Sequence, residues 1–172
     1  MPPRTDLVTR PATLADLRAL TDIYNHYVLH SAVTFDLQAF TPEARRAWFD
    51  EHLPNGPHRL RVATSSDGRV LGYATTSWWR PKPAYSPTVE ASVYCHPDAI
   101  GQGCGRLLYS TLFDSIANEN VHSIVAGICV PNEASIALHE RLGFRLIGTF
   151  REVGFKFDRY WDVAWYQRPL RV

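Results

Sequence analysis

One run, VYCHPDAIGQGCGRLL from Val93 to Leu108, restricts the fold more than any other part of the chain. It begins as β-branched and aromatic residues and breaks at His96-Pro97. It then passes through Gly101, Gly103 and Gly105 and resumes as an apolar-periodic segment. A strand that opens through glycines into a helix start collects unpaired backbone N–H groups around one point. With the positive end of the helix dipole behind them, such groups suit phosphate oxygens.

A tight turn without a ligand is one reading of this loop. A dinucleotide fold would need GxGxxG and an acidic residue about twenty positions on. Here Arg106 stands where the last glycine belongs, and Cys129 and Val130 offer no carboxylate. A Walker loop would need Gly-Lys-Ser/Thr, which does not occur. The third reading is a pyrophosphate held on a short loop, as in coenzyme A. Gly103 and Gly105 would then allow close backbone approach, with Gln102 and Arg106 adding side-chain contacts.

The remaining pattern predicts a mixed α/β (α+β) single domain over residues 1–172, with a mostly antiparallel sheet. Strands are expected at Leu7–Thr9, Leu60–Thr64, Val70–Trp78, Thr88–Cys95, Ile124–Val130, Phe144–Phe150 and Phe155–Tyr166. One helix starts at Thr13 with Asp16 in its first turn, and a second starts at Thr41-Pro42-Glu43. A third runs from the glycine loop to about Asn118. A fourth is capped by Asn132 and closed by Gly143. The aromatics of the last strands, Phe155, Phe157, Tyr160, Trp161 and Trp165, are expected mostly in the core.

A length of 172 residues suits one core, and a net charge of +1 with scattered Lys and Arg lacks the footprint of a nucleic-acid binder. No apolar run reaches the roughly 20 residues of a membrane span, and the start MPPRTDLVTRP has no signal-type apolar core. Cys95, Cys104 and Cys129 show no metal or redox spacing, which points to packing residues in a reduced, cytoplasmic setting. Seven histidines include only His26 and His30 at i,i+4, without an HExxH frame, so no metal site is expected.

The glycine loop resembles the cofactor motif of the GNAT acetyltransferases, Gln/Arg-x-x-Gly-x-Gly/Ala, with Ile100 at its first position. NEASIALHERLGF resembles the family's second cofactor segment, with Asn132, Ser135, His139, Gly143 and Phe144 in register. IYNHYVLHSAVTFD and TVEASVYCHPD further resemble the branch that acts on phosphinothricin and methionine sulfoximine. In that branch His replaces the usual tyrosine at position 139.

This resemblance implies a GNAT fold with a splayed parallel pair between Thr88–Cys95 and Ile124–Val130, flanked by helices. It implies direct N-acetylation of a small amino-acid analogue by acetyl-CoA. The cofactor would be held by Val93, Tyr94, Cys95, Gly101, Gln102, Gly103, Cys104, Gly105, Arg106, Asn132 and Ser135. Glu90 would be the general base. His139 would either serve the leaving thiolate or be a satisfied helix histidine. Phe35 and Trp78 would wall the substrate, and Arg80 and Lys82 would anchor an anion. Ser92 and Tyr94, on the face of Glu90, would add hydrogen bonds. A homodimer is the family expectation. Peptide N-terminal acetylation, or acyl-CoA sensing without chemistry, are the alternatives.

Overall fold

A computed structural model describes residues 6–170 of the chain. Seven strands form one sheet in the order β1-β2-β3-β4-β5-β7-β6. They are β1 Val8–Pro11, β2 Leu60–Thr64, β3 Val70–Trp78, β4 Thr88–Cys95, β5 Ser123–Val130, β6 Arg145–Lys156 and β7 Arg159–Pro169. Four α-helices flank the sheet: α1 Leu17–His30, α2 Arg46–Asp50, α3 Cys104–Ser115 and α4 Glu133–Arg141.

All neighbouring strands run antiparallel except β4 and β5. That parallel pair is matched only over Thr88–Glu90 against Ser123–Val125. Beyond it, β4 stays paired with β3 through Cys95, and β5 stays paired with β7 through Val130. The two strands therefore part after Glu90, leaving a wedge with facing main-chain edges. This is the splayed pair that the family resemblance implied.

Strand parity divides the core. One face buries Val89, Ala91, Leu108, Leu112, Ile116 and Ile124 under α3. The other packs Leu20, Ile23, Leu60, Val62 and Tyr73 under α1 and α2. Leu108, Leu112 and Ile116 are each 0% exposed, and such side chains contribute roughly 1.5–3 kcal/mol apiece.

Several expected boundaries move. Residues 14–16 form a 3₁₀ turn before α1, because the Asp16 carboxylate accepts the Thr13 N–H at 2.7 Å and the Thr13 hydroxyl at 3.1 Å. Thr41 caps only a turn, accepting the Ala44 N–H at 3.2 Å, and α2 begins at Arg46. The last hairpin turns at Phe157-Asp158, both at φ 54°, rather than near residues 151–154. Residues 151–153 instead form a bulge within β6, where Glu152 has φ 51° and donates its N–H to Asp162 at 2.8 Å.

The expectation that the last aromatics are mostly core is corrected as well. Phe155 on the edge strand β6, Phe157 in the turn after it and Tyr160 at the start of β7 are 54%, 52% and 61% exposed, because this corner lies at the free edge of the sheet, with no described element packed over it. No helix among the described residues is long and apolar enough to cross a membrane.

Candidate functional site

The glycine loop leaves β4 through a 3₁₀ turn at Pro97–Ala99 and enters α3 at Gly103. Gly101 and Gly103 have φ of 75° and 86°, a left-handed backbone that glycine adopts without strain. The N–H groups in the first turn of α3 have no intrahelical acceptor. Within the loop, the Gln102 N–H is bound to Ala99 at 3.4 Å, and the Gln102 amide is turned back onto the Asp98 carbonyl. The Gly103, Gly105 and Arg106 amides meet no protein acceptor among the described residues. The Arg106 side chain is exposed beside them. This is an anion cradle, and it fits a diphosphate.

Gly105 has a second role. A Cβ there would stand 3.2 Å from Leu138, 3.7 Å from the Cys95 sulfur and 3.9 Å from Val93. Val93, Cys95 and Gly105 thus converge on the α3 side of the wedge, whereas parity puts Tyr94 on the opposite face. The Cys104 side chain is buried, its sulfur 3.7 Å from the Leu71 carbonyl. The Cys104 contact and burial push the Cys95 thiol up, and burial also raises Cys129. Cys95 and Cys129 stay protonated, and Cys104 is buried against a carbonyl, so none has the surroundings of an activated nucleophile.

Glu90 is the last residue of β4 matched to β5, so its carboxyl group stands where the wedge opens. Its cross-strand neighbour is Ser77, and Ser92 follows on the same face. Burial pushes the Glu90 carboxyl above its ordinary value, opposed by the Arg80 charge. Arg80 is exposed, held over the Trp79 ring at 5.3 Å. Lys82 is exposed on the same loop. Phe35 lies against β6, where a Cβ on Gly154 would fall 2.2 Å from its ring.

Trp78 is not brought to this group. It pairs with Val89, so parity sends it to the other face, where it packs on His58 at 4.5 Å. Trp79, packed edge-on against Tyr85 at 5.0 Å, is the tryptophan on the Arg80 side.

Asn132 caps α4 by accepting the Ser135 N–H at 3.1 Å. His139 is 3% exposed. Its Nδ1 lies 2.8 Å from the Ser135 carbonyl and therefore carries the proton. Nε2 then accepts from the Tyr109 hydroxyl at 3.2 Å. Burial lowers the His139 pKa against that carbonyl bond, keeping the ring neutral near pH 7. Of the two roles open to His139, this arrangement has the bonding of the satisfied helix histidine.

Beside Ser92 and Tyr94, the site holds Tyr73, Thr75, Ser77 and Arg45, which the sequence did not single out. A cavity of about 250 Å³ on the Glu90 face is lined by Ser77, Ser92, Thr75, Tyr73, Tyr94 and Arg45, among others. Tyr94 packs against Tyr24, Tyr27 and Tyr73 at 5.2–5.5 Å. The alternation Tyr73, Thr75, Ser77 along β3 was a legible signal for a polar face. Nothing in TPEARRAWFD distinguished Arg45 from Arg46.

A splayed parallel pair, an amide cradle at the α3 start and a half-buried glutamate at the fork together mark an acyl-transfer fold. Residues 9–165 match the acetyltransferase (GNAT) domain family, and the chain belongs to that family. It is 56% identical to a phosphinothricin N-acetyltransferase of Streptomyces coelicolor, over 99% of this chain and 100% of that protein. It is 39% identical to an L-methionine sulfoximine/L-methionine sulfone acetyltransferase of Salmonella typhimurium, over 95% of each. A GNAT-superfamily phosphinothricin acetyltransferase from Sinorhizobium meliloti, solved with acetyl-CoA, superposes with a TM-score of 0.91 at 35% identity. That match covers 96% of this chain and 89% of that one.

Proposed function

We propose that this single domain transfers acetyl from acetyl-CoA directly to the α-amine of a small amino-acid analogue of the phosphinothricin or methionine sulfoximine type. The observation that carries the reading is the Glu90 carboxyl at the fork of the β4–β5 wedge, with the free amides of the α3 start at the other end of β4. Similarity to relatives bearing those substrate names supports the substrate class. Bound acetyl-CoA supplies the acetyl group as an activated thioester. Gly103, Gly105 and Arg106 hold the diphosphate, and Gly101, Gln102 and Cys104 shape the turn that presents them. Val93 and Cys95 line the wedge on one face, and Tyr94 lines it on the other. Asn132 and Ser135 fix the start of α4 beside it.

An amino-acid ammonium must lose a proton before it can attack. Glu90 accepts that proton, directly or through one water. Its burial-raised pKa makes it a better base than an exposed carboxylate, and such a base contributes about 10²–10⁴-fold. Arg80 holds the substrate carboxylate, with Lys82 adding charge at the mouth. Ser92 hydrogen-bonds the substrate, and Phe35 forms an apolar wall. His139 is a positioning residue that holds the Tyr109 hydroxyl through Nε2.

We further propose that two copies pair through the outer face of β6 and β7. Support comes from the exposed Ile147, Phe150, Val153, Phe155, Phe157 and Tyr160 at the free edge of the sheet. The proposed setting is the cytoplasm, in keeping with three free cysteines.

The direct test mixes the purified protein and acetyl-CoA with phosphinothricin or methionine sulfone and follows thiol release. Release dependent on either amine is expected. Release at background with both, and with a wider amine panel, overturns the reading.

A further inference from the structure

Arg45 is a guanidinium only 5% exposed, yet no carboxylate pairs with it among the described residues. It is stacked over Tyr24 at 4.2 Å and Trp48 at 3.8 Å, and donates to the Leu20 carbonyl at a long 3.3 Å. These contacts satisfy part of a fork that has five donors. Beside it, Tyr73 is 1% exposed, and its hydroxyl faces the Arg45 guanidinium, with no other protein partner among the described residues. Both residues line the cavity of about 250 Å³, whose remaining polar lining includes Thr75, Ser77 and Ser92. Asp36 stands exposed at the rim, accepting from the Tyr24 hydroxyl, so the floor is positive while the rim is negative.

A buried cation whose neighbours are two rings, one carbonyl and a neutral hydroxyl is costly when the cavity is empty of suitable acceptors. An oxygen acceptor delivered into the cavity would take the remaining Arg45 donors together with the Tyr73 O–H, whose oxygen can accept only from Arg45. Ser77 and Ser92 border Glu90 as well as the cavity, so a ligand whose amine meets Glu90 extends its side chain toward Arg45. The volume is below the roughly 300–1,000 Å³ of drug-sized pockets and suits one side chain.

We propose that Arg45 and Tyr73 form the side-chain subsite. There they recognise a strongly polarised or anionic oxygen at the far end of the substrate, such as that of a sulfone, sulfoximine or phosphinate. This rests on the acetyl-transfer reading above and adds to it the residues that select the substrate. Arg80, at the exposed mouth, remains the contact for the α-carboxylate.

The test compares methionine sulfone with methionine, which has the same chain but lacks the sulfone oxygens. Steady-state kinetics are measured for the unmodified protein, Arg45→Met and Tyr73→Phe. Losing a hydrogen bond to a charged group predicts a fall of about tenfold or more in the sulfone-to-methionine ratio of kcat/KM for Arg45→Met, carried by KM. A smaller fall of the same sign is expected for Tyr73→Phe, which removes only the hydroxyl and keeps the ring that packs the fold. An unchanged ratio in Tyr73→Phe, together with equal losses on both amines in Arg45→Met or its failure to fold, overturns the subsite alone. If the unmodified protein binds acetyl-CoA by calorimetry but turns over neither amine, the acetyl-transfer reading falls and the subsite with it.

Discussion

Glu90 lies half-buried on a strand, and its raised pKa ties activity and stability to pH in opposite senses. As the pH rises through its folded-state pKa, the base becomes competent and kcat rises. Stability behaves the other way. A carboxyl whose pKa is raised on folding stabilises the native state fully below its unfolded value and loses that contribution as the pH rises through the folded one. Glu90→Gln should therefore lower kcat by about 10²–10⁴-fold and leave coenzyme A affinity intact. Its melting temperature at pH 7 should exceed that of the unmodified protein, with the gap closing below the ordinary carboxylate range. Turnover and thermal melts across pH check both parts. At this scale the sequence was legible where residue chemistry clashed with its surroundings, as with a carboxylate inside TVEAS. It was not legible where a single residue of parity decided. Trp78 and Trp79 are adjacent and chemically identical, and only the pairing with Val89 separates them. Arg45 could not be read, because burial of one arginine in an arginine pair is settled by tertiary packing.

The start of α3 depends on a left-handed residue at Gly103. Gly103→Ala places a Cβ in that conformation at a cost of roughly 1–2 kcal/mol and displaces the amides that follow. Weaker coenzyme A binding, with the loss far larger than in Gly68→Ala at a remote turn, is expected by calorimetry. The start of α1 depends on Asp16, which accepts from Thr13 and pairs with Arg10 at 2.7 Å. Burial alone would raise this carboxyl, but the Arg10 and Thr13 donors outweigh it and hold it below its usual value. Its contribution is present above the unfolded carboxylate pKa and fades as the pH falls through the folded one. Asp16→Asn should cost about 1–2 kcal/mol at pH 7 in urea unfolding, with the difference shrinking in acid. Strands and helices with clear periodicity were readable to within a few residues. The last hairpin was not, since Gly154 looks like a turn residue. In the structure it is the seat of the Phe35 ring beside a bulge, a contact 119 residues away in sequence, while Phe157 and Asp158 take the turn.

Across the whole molecule, two faces of one sheet are assigned different tasks. The α3 face buries the larger apolar cluster and carries the amide cradle. The α1–α2 face carries Glu90, the hydroxyl-rich cavity and Arg45. The wedge between β4 and β5 is where the two communicate. Its existence followed from a family resemblance and not from periodicity, because both strands read as ordinary strands along their whole length. The apolar outer face of β6 is likewise invisible to pattern, as an edge strand that meets a second copy has the same sequence as one that meets a core. Phe150→Asp should halve the mass seen by sedimentation, and an unchanged mass would count against the proposed pairing. The most direct test of acetyl-CoA placement is a crystal structure with coenzyme A bound. Diphosphate oxygens are expected within about 2.7–3.2 Å of the Gly103, Gly105 and Arg106 amides, and the thiol end between β4 and β5 beside Glu90. A diphosphate seated away from these amides, or a thiol end outside the wedge, would contradict it.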